Sequence, residues 1–594
     1  MSAFLDTLAN TEFAAQPERA TWIGIPDGQI ATDPRWAFND RSQAGFERRR
    51  LDRLDTLHAM DRVALPATGN TLRMHFDIAR TAHSHAAAAG TFGHGRVSLK
   101  DVRPYAADHE SGFYLEGFLL LALRQPLRTP SDADAFVTRF ATIPDAVEDE
   151  RRRLIADAQA GIVPPLSILE RMDVAAANAV AVDPATGHAM VATFDGWLGA
   201  VDGLSDGDRA RLTESVGRIF ETDIRPAYVR YRATVRGLAL DAPDALGVWQ
   251  LPNGEAYYDA ALTFHASRTI DPDSLGTRAR RALDTASAAL REAVARPVEE
   301  TDTLNADAET EPTVLAPLTA LIADRIAEAA NASASPPSTD LPPSPLDLLK
   351  TRLAAQRAPS DLPSPALLTP PVLVELPAYA SPEGPVMTYL PPSRDGTSPG
   401  AILLSKRPGT AEEVALLTPG LAGLGLPGLH AAYRIHRDTG LPPLIHAATG
   451  HTAFEQGWAA YAVSLLDPPA EPSLENVGAL QNACAFAATA AIDVGVHTER
   501  LARDAAADLL EISCGTAREA ALRTVDTVAA TPGRAAAAFY GFETLEALKV
   551  RAEGVLQDGF DRAAFHRVVL APGPRPLDAV EADVEAWYSA QLGR

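Results

Sequence analysis

Sixteen of the chain's 46 prolines lie between Pro336 and Pro399. Proline fixes φ and removes an amide donor, so no continuous helix runs through most of that stretch. The rest of the 594 residues carry the opposite signal. Leu51, Leu54, Leu57 and Met60 recur at three-residue steps; Phe136, Phe140 and Ile143 follow the same face rule, as do Leu166, Ile168, Leu169 and Met172. Cap-forming residues open further helices at Thr129-Pro130-Ser131-Asp132, Ser205-Asp206-Gly207-Asp208 and Asp271-Pro272-Asp273. From residue 41 to 296 the pattern is helix after helix, and the apolar stretch from Met190 to Phe194 is a short, isolated strand signal.

Helical signals return at Thr410-Ala411-Glu412-Glu413, a capping-box-like start. They continue over 429–437, 444–466, 474–496, 499–510, 517–529, 545–556 and 579–592. Inside the Pro-rich stretch one short helix is expected at 345–356, with strands at 372–377 and 386–390. Residues 301–310 and 332–345 read as a mobile or surface insertion. The expected fold is mainly α: one large multi-helix body with a deep central cleft and a small β-ribbon. Its organisation along the chain is an N-terminal helical half at 1–298, a Pro-rich insertion at 299–371, and a C-terminal helical half at 372–594.

Lys and Arg total 53 against 77 Asp and Glu, a formal net charge of −24. That balance argues against a grip on nucleic-acid phosphates, which needs clustered cations, and against docking on anionic lipid. The four lysines are Lys100, Lys350, Lys406 and Lys549; with heavy alanine usage this reads as coding bias without mechanistic weight. Cys484 and Cys514 are too few for a disulfide framework or a cysteine-built metal site, and buried free thiols are expected. The opening Met-Ser-Ala-Phe-Leu-Asp-Thr lacks the basic flank of a secretory signal. No apolar run approaches the ~20 residues of a spanning helix, so the expected compartment is the cytoplasm, with no membrane partner.

An ordered set of motifs in the second half resembles the bacterial family catalogued as domain of unknown function 885. The matching pieces are Met387-Thr388-Tyr389-Leu390-Pro391-Pro392, Gly423-Leu424-Gly425-Leu426-Pro427-Gly428-Leu429-His430 and Phe454-Glu455-Gln456-Gly457-Trp458-Ala459-Ala460-Tyr461. They continue with Ile492-Asp493-Val494-Gly495-Val496-His497, Thr531-Pro532-Gly533-Arg534-Ala535, and Phe560 to His566. Weaker matches in the first half include 111–123, 130–133, 161–165 and 255–258.

The resemblance implies a zinc-metallopeptidase-like helical motif, His-Glu-x-x-Pro-Gly-His-His followed by Glu-Gly-Trp-Ala-x-Tyr. Such a site needs imidazole and carboxylate ligands and a carboxylate base. Here the corresponding positions are Gly423, Leu424, Leu429 and Gln456, and nearby polar positions are Ala432 and Ala538. The packing residues Pro427, Gly428, Gly457, Trp458 and Tyr461 are kept. The expectation is therefore a degenerate, zinc-less scaffold with no metal and no cofactor.

A relocated metal site would have to recruit His430 with His446, His451 or Glu455; the plainer reading makes His430 a partly buried helix histidine and His451 a surface one. Asp493 and His497 are spaced i, i+4, which suits either an oriented general base or an ordinary helical contact. With Tyr461 they are the candidate catalytic residues. Tyr389, Arg394, His430, Gln456 and Trp458 are the candidate ligand-binding residues, and Asp395 would share their rim. The histidines His75, His83, His85 and His94 read as a solvated helix end. The Gly-rich run 420–425 follows no strand and has no Lys, so it reflects close helix packing, not a phosphate cradle.

Three functions are in play. The first is a non-catalytic shell binding a small molecule or peptide in the old cleft. The second is a metal-independent enzyme using that cleft for acid–base chemistry, and the third a zinc hydrolase with relocated ligands. Nothing in the sequence sets an oligomeric state.

Overall fold

The computed structural model describes all residues except 27, 31, 66–70, 296–317, 333–342, 439–440, 448–449, 470–472 and 594. The expected insertion at 301–310, and 333–342 of its second part, lie outside the described residues. Local chemistry sets the helix starts where the sequence placed them. Thr129 and Asp132 form a reciprocal capping box ahead of helix Pro130–Ala141. Ser205 accepts from Asp208 N–H, Asp271 from Ser274 N–H, and Thr410 from Glu413 N–H. Each satisfies an amide that the first helical turn leaves without an internal partner.

Some boundaries move. Met190–Phe194 lies in a helix, Ala189–Leu198, with Met190 and Phe194 buried on one face. The single helix expected at 444–466 is two, Pro443–Ala447 and Thr452–Ser464, split around Gly450. A helix at Leu318–Ala332 was not foreseen, whereas Pro345–Ala354 was.

Five short strands are present among the described residues. Strands β1 (Arg96–Val97) and β2 (Val102–Arg103) form an antiparallel hairpin. Strands β3 (Val372–Glu375), β4 (Met387–Leu390) and β5 (Ala401–Leu404) form a mixed sheet with β5 in the middle. β5 runs parallel to β3 and antiparallel to β4.

One apolar cluster takes in Leu5 near the start and Val584 near the end. Helix Pro272–Ala295 lies along helix Leu474–Thr498, where a Cβ on Gly276 would stand 2.9 Å from Val494 Cγ1. Helices Thr452–Ser464 and Arg534–Leu556 approach through glycine on glycine: a Cβ on Gly541 would stand 1.8 Å from Ala453 O, and one on Gly457 2.6 Å from Gly541 C. Two helical stretches, Ala411–Arg437 and Leu474–Thr498, are long and apolar enough to cross a membrane by composition, correcting the expectation that none would be. Both are about half buried inside the protein (56%). Cys484 and Cys514 are buried and free.

Candidate functional site

The β1–β2 turn builds one wall of the site. Ser98 Oγ accepts from the N–H groups of Lys100 (3.1 Å) and Asp101 (2.9 Å), and Ser98 N–H donates to Asp101 O at 2.9 Å. This hydroxyl-closed turn holds the Lys100 backbone in place. The turn docks against the chain just before helix Thr452–Ser464: Gly450 N–H donates to Leu99 O at 2.7 Å. A Cβ on Gly450 would stand 2.4 Å from Lys100 O, so this approach requires glycine.

The opposite wall comes from the motif region. Tyr433, on helix Leu429–Asp438, receives a hydrogen bond from Lys100 Nζ at 3.1 Å and donates to Glu455 Oε1 at 3.0 Å. Tyr389 on β4 packs its ring 5.7 Å from that of Tyr433 and shares a 3.0 Å hydrogen bond with His430 Nδ1. Burial pushes His430 down to about 4, so its imidazole is neutral near pH 7. Burial also pushes the Lys100 amine down to about 8; Glu455 and Asp101 oppose that shift, while Arg19 and Arg534 add to it.

Lys100 and Tyr389 open onto a cavity of about 540 Å³. Its lining includes Arg19, Arg41, Arg49, Arg96, Lys100, Arg103, Arg153 and Arg534 against Glu18, Asp40, Asp101, Glu116 and Glu150, eight cations to five carboxylates. Several of the cations have donor capacity to spare. Arg153 stacks its guanidinium 4.2 Å from the Phe46 ring centre and donates to Gly95 O, yet its buried Nε has no partner. Arg41 Nε and Arg96 Nη1 are in the same condition. Arg19 makes no side-chain hydrogen bond or ion pair among the described residues, and Arg534 reaches Asp101 only at 3.9 Å. Burial would raise Glu116, but Arg96 and Arg41 outweigh it and hold the carboxyl at about 2.

Tyr389 and His430 meet, while Arg394, Trp458, Tyr461, His497 and Asp493 have partners elsewhere. Arg394 Nη1 donates to Leu441 O at 3.3 Å, and its backbone N–H donates to Ile23 O. Gln456 is half-buried on helix Thr452–Ser464. Trp458 is fully buried with Nε1 3.3 Å from Pro427 O, and Tyr461 is hydrogen-bonded to His566 Nε2 at 3.0 Å. His497 is wholly enclosed: Nδ1 accepts from Val248 N–H at 3.1 Å and Nε2 faces Val528 O at 3.3 Å. Asp493 accepts from Gly533 N–H (2.8 Å) and Ala536 N–H (3.0 Å), capping helix Arg534–Leu556. The two side chains stand 3.9 Å apart, beyond hydrogen-bond range. Burial raises Asp493 to about 7, with those amides pulling it back. It lowers His497 to about 4.

Two histidine expectations change. His451 is buried, not on the surface, and shares a 2.9 Å hydrogen bond with Ser267 Oγ. His75, His83 and His94 are buried in and beside helix Thr71–Gly90, not at a solvated end, and burial pushes His83 down to about 3. The side chain of His446 lies outside the described residues. Among the described residues no group of three or more His, Cys, Asp or Glu could hold a metal ion. The implied zinc does not fit here: Leu429 is buried packing, His430 Nδ1 is engaged by Tyr389, and Glu455 is engaged by Tyr433. Sequence reasoning missed Lys100 and Tyr433 altogether and weighed Glu455 only as a metal ligand; the scarcity of lysine was the one available cue.

A family model for bacterial proteins of unknown function, DUF885, matches residues 17–584. No curated protein matches the chain. A solved structure described as "the putative lipoprotein from Colwellia psychrerythraea" superimposes with a TM-score of 0.82 at 18% identity, covering 99% of this chain and 98% of that one. A second, described as "a putative lipoprotein of unknown function from Shewanella oneidensis", gives 0.62 at 14% identity, with 98% of each chain covered. At these identities the likeness speaks to the fold.

Proposed function

The chain belongs to the DUF885 family of bacterial proteins, and from that premise we propose that it binds a small acidic molecule or peptide in the Lys100–Tyr389 cleft without zinc. One observation carries this reading: eight cationic side chains face five carboxylates in that cavity although the chain as a whole carries −24. A cavity enriched in one charge sign concentrates ligands of the other. Guanidiniums with unused donors suit a carboxylate, which they can bind in a bidentate fork. The loss of implied zinc ligands at Gly423, Leu424, Leu429 and Gln456 supports a metal-free site.

Calorimetric titration with acidic dipeptides and their neutral amides tests it. Acids should bind at least tenfold tighter, Arg19→Met should weaken them by a similar factor, and EDTA should change nothing. Equal binding of the amides, or one zinc per chain lost together with binding, would overturn the reading. A metal-independent enzyme in the same cleft is the second reading, favoured by the Lys100–Tyr433–Glu455 contacts. As to compartment, the lipoprotein descriptions of the two solved neighbours weigh against the cytoplasmic expectation. Cell fractionation decides it, the cytoplasm being ruled out if the chain pellets with membranes.

A further inference from the structure

One cleft residue has chemistry that ion pairing leaves unused. Arg41, Arg96 and Arg103 each meet a carboxylate within hydrogen-bond range. Lys100 Nζ instead meets a phenol, Tyr433 Oη, at 3.1 Å, and that phenol passes its own hydrogen to Glu455 Oε1 at 3.0 Å. The result is a donor–acceptor chain with one end in the cavity and the other at the start of helix Thr452–Ser464. The other charged groups acting on Lys100 are Arg19, Arg534 and Asp101.

We propose that Lys100 is the proton-transfer residue of a metal-free acid–base site acting on a carboxylate-bearing molecule, whose acid group Arg19 and Arg534 hold, with Tyr433 and Glu455 as positioning residues behind it. This rests on the reading that the cleft takes a small acid. The neutral amine takes a proton from an acidic O–H, N–H or C–H of the bound molecule, and the bonding pair stays on the atom that loses the proton. The ammonium so formed keeps its hydrogen bond to the Tyr433 oxygen, and Tyr433 stays hydrogen-bonded to the Glu455 carboxylate, which holds the charged amine in place. The ammonium then gives its proton back to the molecule at another atom or to solvent, which restores the neutral amine. No oxidant or reductant is involved. With the amine near 8, about a tenth of it is neutral at pH 7, against well under a thousandth for an ordinary lysine.

The four lysines make this measurable on the whole protein. Limiting acetic anhydride is applied from pH 6 to 10 and each lysine peptide is quantified by mass spectrometry. Lys100 should acetylate with a midpoint near pH 8, earlier than the exposed Lys350. N-acetylglutamate should slow Lys100 at least fivefold and leave Lys350 unchanged. Glu455→Gln should move the Lys100 midpoint to lower pH, because Glu455 stabilises the ammonium; thermal melts and the Lys350 profile check that the variant is folded. The same profile for Lys100 and Lys350, or a midpoint that Glu455→Gln leaves in place, overturns the assignment. If N-acetylglutamate binds by calorimetry without shielding Lys100, this assignment fails and the cleft reading stands. If it neither binds nor shields, both fail.

Discussion

Asp493 and His497 have the spacing of a catalytic pair, yet the backbone takes both. The partners that decide this are far off in sequence: Val248 and Val528 for His497, Gly533 and Ala536 for Asp493. A single-chain pattern at i, i+4 carries no information about them. Asp493→Ala should cost about 2–4 kcal/mol, the loss of a buried cap that leaves two amides unpaired, read from chemical denaturation. The Tyr389–His430 contact, by contrast, could be anticipated because both residues fall in adjoining motif pieces. Lys100 could not, since no motif contains it and its role depends on a turn meeting Gly450.

Elements were legible where local chemistry sets them. The capped starts at Thr129, Ser205 and Asp271 needed nothing beyond their own neighbours. Strand β5 escaped because Ala401–Leu404 is buried at every position, so it shows no alternation, and its register comes from partners on both sides. The glycine contacts between helices Thr452–Ser464 and Arg534–Leu556 show how tightly the motif region is fixed. Gly541→Ala would drive a methyl into the Ala453 carbonyl and should lower stability by about 1–3 kcal/mol or more, the usual scale of overpacking; a thermal melt reads it. Gly450→Ala should leave the global melt closer to normal but shift the Lys100 turn, weakening acid binding in the calorimetric titration.

At the scale of the molecule, burial has made a set of histidines neutral. His83, His265 and His451 are pushed to about 3, and His188, His430 and His497 to about 4, in every case chiefly by removal from water. For a base depressed in the folded state, the stabilisation is present above the unfolded value, about 6.5. It is lost as pH falls through the folded values. Each such group contributes a slope of about 1.4 kcal/mol per pH unit in that window, so denaturant midpoints should fall steeply between pH 6.5 and 4. Asp493 acts with the opposite sign: raised to about 7, it favours folding at low pH and loses that contribution as pH climbs to 7. Asp493→Asn should remove that component and steepen the acid-side decline. Mainly helical architecture with a small sheet was legible from period and proline placement, while the charge arrangement of the cleft was not, because its cations come from separate segments between Arg19 and Arg534.

Helix Pro272–Ala295 beds against Leu474–Thr498 through Gly276, even though nearly two hundred residues separate them along the chain. A gene divided between codons 298 and 318 should therefore yield two polypeptides that co-purify as a nicked heterodimer when made together, and that precipitate or resist purification when made apart.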